Sequence, residues 1–109
     1  KVLDTPIKFL VALHEIGHII TPPNKYSYID EYDCEMFAIK FAQLTRIVPR
    51  NHLQIYIRNA KIYVADNILI DVNKNQLPIE KVRREIFRWT LPQAKLRYPA
   101  KTFNILHCL

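Results

Sequence analysis

The chain has 109 residues, half of them hydrophobic, enough for one continuous core, and it should fold as a single domain over residues 1–109. One glycine against seven prolines argues against a flexible linker, a glycine-rich phosphate loop or a turn-dense β-sandwich. The net charge of +6 could draw an acidic partner, yet no aromatic-basic module accompanies it.

No apolar run approaches the roughly 20 residues that a membrane-spanning helix needs. Two cysteines, Cys34 and Cys108, are too few for a disulfide scaffold and lack the close pairing of metal-ligand motifs. Both points suggest a soluble, cytoplasmic protein. Lys1 stands where a methionine is expected, so the chain is expected to be trimmed, processed, or lacking disordered residues at its start.

The first element is a helix over Thr5 to Ile20. Asp4 or Thr5 supplies an N-cap, Pro6 fits the first turn, and Thr21-Pro22-Pro23 stops it. A second helix runs from about Ile29 to Arg46, with Cys34, Phe37, Ala38, Phe41 and Thr45 at helical spacing and Pro49 beyond its end.

Arg50 to Val72 reads two ways. Leu53, Ile55, Ile57, Ile62 and Val64 alternate as in strands, whereas Leu53, Tyr56, Ile57, Ala60, Tyr63, Val64 and Ile68 keep helical spacing. One long helix is favoured, because no glycine is present for the positive φ of tight hairpins; the alternative is an α+β fold with a β-meander at about 52–72. The last helix is expected from Pro78 to Thr90, followed by an irregular tail broken by Pro92 and Pro99. The fold class is therefore mainly α, around a core of Phe9, Leu10, Leu13, Ile16, Phe37, Phe41, Tyr63, Ile68, Ile86 and Trp89.

The first helix carries His14-Glu15-Ile16-Gly17-His18, an H-E-x-x-H pattern. Residues four apart project from one helix face, so both imidazoles can reach one metal ion. Glu15 points about 100° round the helix, beside the open position of such a metal, where a carboxylate can take a proton from water and return it to a leaving group. Ile7 to Ile20 is apolar nearly all round, which is the pattern of a buried helix. Burying two imidazoles and a carboxylate without partners would be costly, and a metal supplies partners.

A catalytic zinc needs a third protein ligand. Asp30, Glu31, Asp33 and Glu35 cluster at the start of the second helix. Glu31 lies close to the inward stripe and is the leading choice, with the other three as alternatives. Glu35, one turn on, can support a ligand histidine from outside the coordination sphere. Charge at this helix start also complements the helix dipole, by under about 1 kcal/mol.

With these two blocks, Ala12-Leu13-His14-Glu15-Ile16-Gly17-His18 and Glu31-Tyr32-Asp33-Cys34-Glu35-Met36-Phe37-Ala38, the chain resembles the short zinc metallopeptidases of the ImmA/IrrE type, whose small relatives occur in phages and mobile elements. The resemblance covers roughly the first 45 residues and implies a zincin-like helical core. It puts Glu31 at the ligand position, Cys34 at a small residue, Glu35 at the supporting acidic position and Phe37-Ala38 at an aromatic-Ala pair. The family's upstream strands have no counterpart here, nor has the leucine-rich stretch after its second helix, where this chain has Gln43 to Pro49. A missing edge strand would remove one way of gripping an extended peptide.

The resulting expectation is a zinc-dependent hydrolase, a metallopeptidase acting on a protein or peptide, with Zn2+ held by His14, His18 and Glu31 and Glu15 as general base. One rival is a metal-containing regulatory or DNA-binding module that uses the basic residues Lys81, Arg83, Arg84, Arg88, Lys95, Arg97 and Lys101 to hold nucleic acid or an acidic protein. Another is a hydrolase of small amides. His52 and His107 are read as isolated histidines, Tyr26, Tyr28 and Tyr32 as packing residues near the site, Trp89 as a core anchor, and Cys34 as a small buried residue.

Overall fold

A computed structural model describes residues 5–98. Four α-helices follow in order: α1 (Thr5–Ile20), α2 (Ser27–Thr45), α3 (Arg50–Lys74) and α4 (Arg84–Arg97), with a 3-10 turn at Ile79–Lys81 before the last. No strand occurs among the described residues, so the α+β alternative falls. Across 52–72 the stripe Tyr56, Ala60, Val64, Ile68 and Asp71 is buried along one face of α3, and this helical register wins over the alternation of Leu53, Ile55 and Ile57. No described helix is long and apolar enough to cross a membrane.

Successive helices pack as neighbours, α1 on α2, α2 on α3 and α3 on α4, and α1 also touches α3. Two apolar clusters form the core. One joins Leu10 and Leu13 of α1 to Ala38, Ile39 and Ala42 of α2 and Tyr56 and Ala60 of α3. The other joins Tyr28 to Val64, Ile68, Val82 and Ile86, and Trp89 packs against both.

Helix α1 is not enclosed as its composition suggests. Val11, Ile16, Ile19 and Ile20 are exposed: among the described residues α2 and α3 are the main neighbours of α1 and do not cover it all round, and Val11 opens onto a cavity between α1 and α3. Ile16, at 44% exposure, therefore leaves the expected core, as do Tyr63 and Phe41. The Phe41 ring sits on the outer side of α2 beside the rings of Phe9 and Phe37.

The C-terminal region also departs from expectation. The stretch expected to begin the last helix is a 3-10 turn, after which Val82 and Arg83 are extended. This lets Val82 drop into the second cluster and the Arg83 N–H donate to the Tyr28 hydroxyl at 3.0 Å. Pro92 does not break α4 but lies inside it. Arg88, whose carbonyl loses its partner there, is exposed together with Pro92, so water can satisfy the freed group. The expectations for Asp4, Pro99, Lys101, His107 and Cys108 lie outside the described residues.

Candidate metal centre

Helix α1 brings His14 and His18 to one side, one turn apart, and α2 lies alongside at close range because of Gly17. This residue, the only glycine of the chain, faces Cys34 of α2. The Thr21 hydroxyl and N–H both donate to the Gly17 carbonyl, closing α1 just beyond His18.

The start of α2 is held from α3. Helix α2 has no side-chain cap of its own, and Asp71, fully buried, accepts the Tyr28 N–H at 2.8 Å and the Ser27 hydroxyl at 3.1 Å. Asn75 of α3 donates to the same carboxylate at 2.7 Å. In the preceding loop, the backbone N–H and side-chain amide of Asn24 both donate to Asp30 at 2.9 Å. Asp30 is thereby engaged as a loop fastener, and it lines a small cavity with His18 without joining the converging donor atoms.

Three donor atoms converge. His14 Nε2 and His18 Nε2 are 3.0 Å apart, and Glu31 Oε1 lies 2.8 Å from the first and 3.1 Å from the second. Among the described residues this trio is a group able to hold a metal ion. His14 is buried, whereas His18 is exposed, so the cluster sits at the surface of the α1–α2 seam and not in the interior that the apolar composition of α1 suggests.

Behind the trio, the His14 Nδ1–H donates to Glu35 Oε1 at 2.8 Å, and the Tyr56 hydroxyl of α3 donates to the same oxygen. The two groups fix Glu35, and Glu35 fixes the ring of His14. Burial alone would lower the His14 pKa, but the bonds and charges of Glu35 and Glu31 outweigh it and raise it. Burial, then Glu35, pushes the Tyr56 phenol far up, keeping it a neutral donor.

Proton counting tests whether the trio suits a metal. A neutral His14 has its one proton on Nδ1, engaged by Glu35, so its Nε2 presents a lone pair to Glu31 Oε1, which also presents one. These two lone pairs, 2.8 Å apart, repel unless an extra proton or a cation lies between them, and His18 Nε2 stands within 3.1 Å of both atoms. Zinc ligands at about 2.0–2.1 Å in tetrahedral arrangement stand about 3.3 Å from one another, a few tenths of an ångström wider than the trio. The residues therefore fit a divalent cation, and two imidazoles with one carboxylate form a donor set suited to zinc among other transition metals.

Glu15 is exposed on α1 and opens, with His14, onto a groove of about 270 Å³ between α1 and α3. Glu35 lines the metal end of the groove, and Val11, Tyr56, Asn59, Ala60 and Tyr63 line the rest.

Tyr26, Tyr28 and Tyr32 pack as expected, in the second cluster rather than at the trio. Tyr28 is a core residue bonded to Arg83, Tyr32 packs edge-on against Trp89, and Tyr26 lies under Lys25. The tyrosines at the cluster are Tyr56 and Tyr63, the second edge-on to His14 with ring centroids 6.1 Å apart. The sequence signal for them was only their place on the α3 stripe. Asp33 belongs to neither the trio nor its support, and His52 lies in the first turn of α3 outside the trio. Cys34 is buried, and its thiol is pushed up to about 11, mainly by burial and then by Glu31 and Asp30, which makes it a poor nucleophile.

No protein-family model matches this chain. No curated protein sequence and no solved structure matches it either.

Proposed function

We propose that this chain is a zinc-dependent hydrolase, a metallopeptidase that cleaves amide bonds with Glu15 as general base and acid. The observation that carries the reading is the convergence of His14 Nε2, His18 Nε2 and Glu31 Oε1 within 2.8–3.1 Å of one another, beside a groove that Glu15 also lines. In this reading the three residues hold zinc, and Glu35 with Tyr56 keeps His14 oriented. Zinc, when bound, acidifies water and polarises a carbonyl.

Glu15 takes a proton from the attacking water, whose oxygen bonds to the amide carbon, and returns that proton to the departing nitrogen as the C–N bond breaks. The products are a carboxylic acid and an amine. The exposed position of Glu15 gives its carboxylate access to both water and substrate. Two cysteines without motif pairing, one of them free and buried, favour the cytoplasm as the setting.

Elemental analysis of protein purified without added metal provides the test. Near-stoichiometric zinc in the wild type, lost in His14→Ala and in Glu31→Ala, supports the three-ligand site; a wild type that neither carries nor takes up zinc refutes it. Glu15→Gln should keep its zinc and lose about a hundred- to ten-thousand-fold in hydrolysis, and an equally active Glu15→Gln refutes the mechanism.

A second reading rests on Arg84, Arg88 and Lys95, which are exposed along α4. Such a stripe suits the phosphates of a nucleic acid or an acidic protein surface. DNA binding that weakens steeply with salt and survives removal of zinc favours this reading.

A further inference from the structure

Resting on the peptidase reading, we propose that the groove between α1 and α3 is a side-chain subsite that selects a bulky apolar residue next to the cleaved bond. His14 and Glu15 line the same cavity as Val11, Tyr56, Ala60 and Tyr63, so a chain whose scissile amide reaches the metal end must set its neighbouring side chain among apolar groups. The Tyr56 hydroxyl is engaged by Glu35, which leaves its ring as the contacting surface. At about 270 Å³ the groove lies below the roughly 300–1,000 Å³ of sites that enclose a whole small ligand, so it takes one side chain and a little backbone.

Charge points the same way. Among the described residues neither lysine nor arginine lines the groove, and Glu15 and Glu35 stand at its histidine end, which disfavours an acidic side chain. Val11 and Tyr63 are 47% and 44% exposed, and an apolar side chain laid between them would cover both. Asn59 at the rim offers an amide to the peptide backbone.

The test uses the zinc-loaded full chain and two hydroxamates, acetohydroxamic acid and 3-phenylpropionohydroxamic acid, titrated by calorimetry. Both present the same zinc-binding group, and they differ in the benzyl extension. The phenyl compound should bind roughly ten- to two-hundred-fold more tightly, and Val11→Trp or Asn59→Trp, both at exposed edge positions, should shrink that ratio toward one. Fluorogenic peptides should follow the same order, with Phe or Leu preferred over Ala and Glu last. Equal affinities for the two hydroxamates overturn the subsite while leaving the metal reading intact. If neither compound binds, the zinc has no open position, the peptidase reading fails and the subsite falls with it.

Discussion

Gly17 lies directly against Cys34: a Cβ built on Gly17 would meet the Cys34 Cα at 3.1 Å and its Cβ and sulfur at 3.2 Å. The contact is with backbone, which cannot swing aside as a long side chain would. It sets the distance between α1, which carries His14 and His18, and α2, which carries Glu31 and Glu35. Gly17→Ala should gain about 0.5–1 kcal/mol in helix propensity and lose about 1–3 kcal/mol to overpacking, a net destabilisation. The forced separation should also weaken zinc binding roughly tenfold or more, with Gly17→Val worse on both counts. Urea unfolding and zinc titration of the purified variants check this; a stabilised Gly17→Ala with unchanged zinc affinity would show that α2 yields freely.

The chain from Tyr56 through Glu35 to His14 makes a separate prediction. Glu35 accepts from both neighbours on one oxygen, so its charge is spent on orienting the imidazole rather than on the trio itself. Glu35→Gln should bind zinc about 10–100-fold more weakly while keeping one ion per chain. Tyr56→Phe leaves the buried carboxylate short of a donor and should cost about 1.5–3 kcal/mol in stability. If Glu35→Gln lost zinc altogether, Glu35 would be a ligand and not a support.

These residues also mark how far the sequence could be read. His14 and His18 are legible because helix geometry alone puts residues four apart on one face, and the Thr5–Ile20 span has punctuation at both ends. The single long α3 is legible because a stripe of period near four outlasts any local alternation. Glu31 was a choice among four acids, since α2 shares its start with a loop whose fastening through Asp30 is a tertiary fact. Tyr56 and Asp71 carried no local signal: each acts on another helix from about 21 and 43 residues away in sequence. The exposed face of α1 was illegible for a related reason, because an apolar pattern does not say how many neighbours a helix has. Pro92 misled because a proline's cost depends on the surroundings of the carbonyl it frees, and both Arg88 and Pro92 are exposed residues of α4.

Acidity should affect the metal-free and zinc-loaded proteins in opposite ways. Despite its burial, His14 has a raised pKa in the folded metal-free chain, owing to Glu35 and Glu31, against an unfolded value near 6.5. Its contribution to stability is then fully present below about 6.5 and is lost as pH rises through the higher folded value. With saturating zinc the imidazoles must be deprotonated to bind, so stability should instead rise with pH across the same window. Thermal melts of apo and zinc-loaded protein between about pH 5.5 and 8 read both slopes, and His14→Gln should flatten the apo slope. Parallel slopes for the two forms would mean that zinc does not use His14.

Asp71 should be the costliest polar residue to remove, though it touches neither the histidines nor the groove. It is fully buried and receives the Tyr28 N–H, the Ser27 hydroxyl and the Asn75 amide, so truncation removes three bonds, strands the buried Tyr28 N–H and uncaps α2 in one step. An N-cap lost costs about 0.5–2 kcal/mol and a buried group left unpaired about 1–3 kcal/mol, so Asp71→Ala should lose about 2–4 kcal/mol. At roughly 4–8 °C per kcal/mol for a domain of this size, the melting temperature should fall by about 8–30 °C. Asp71→Asn keeps the shape and one acceptor oxygen, and should recover about half of the loss. Because Asp71 acts on the start of α2, the surviving folded protein should also bind zinc more weakly through a less fixed Glu31. Zinc affinity unchanged in a destabilised Asp71→Asn would separate the two effects and show that Glu31 is held by the α1 contact alone.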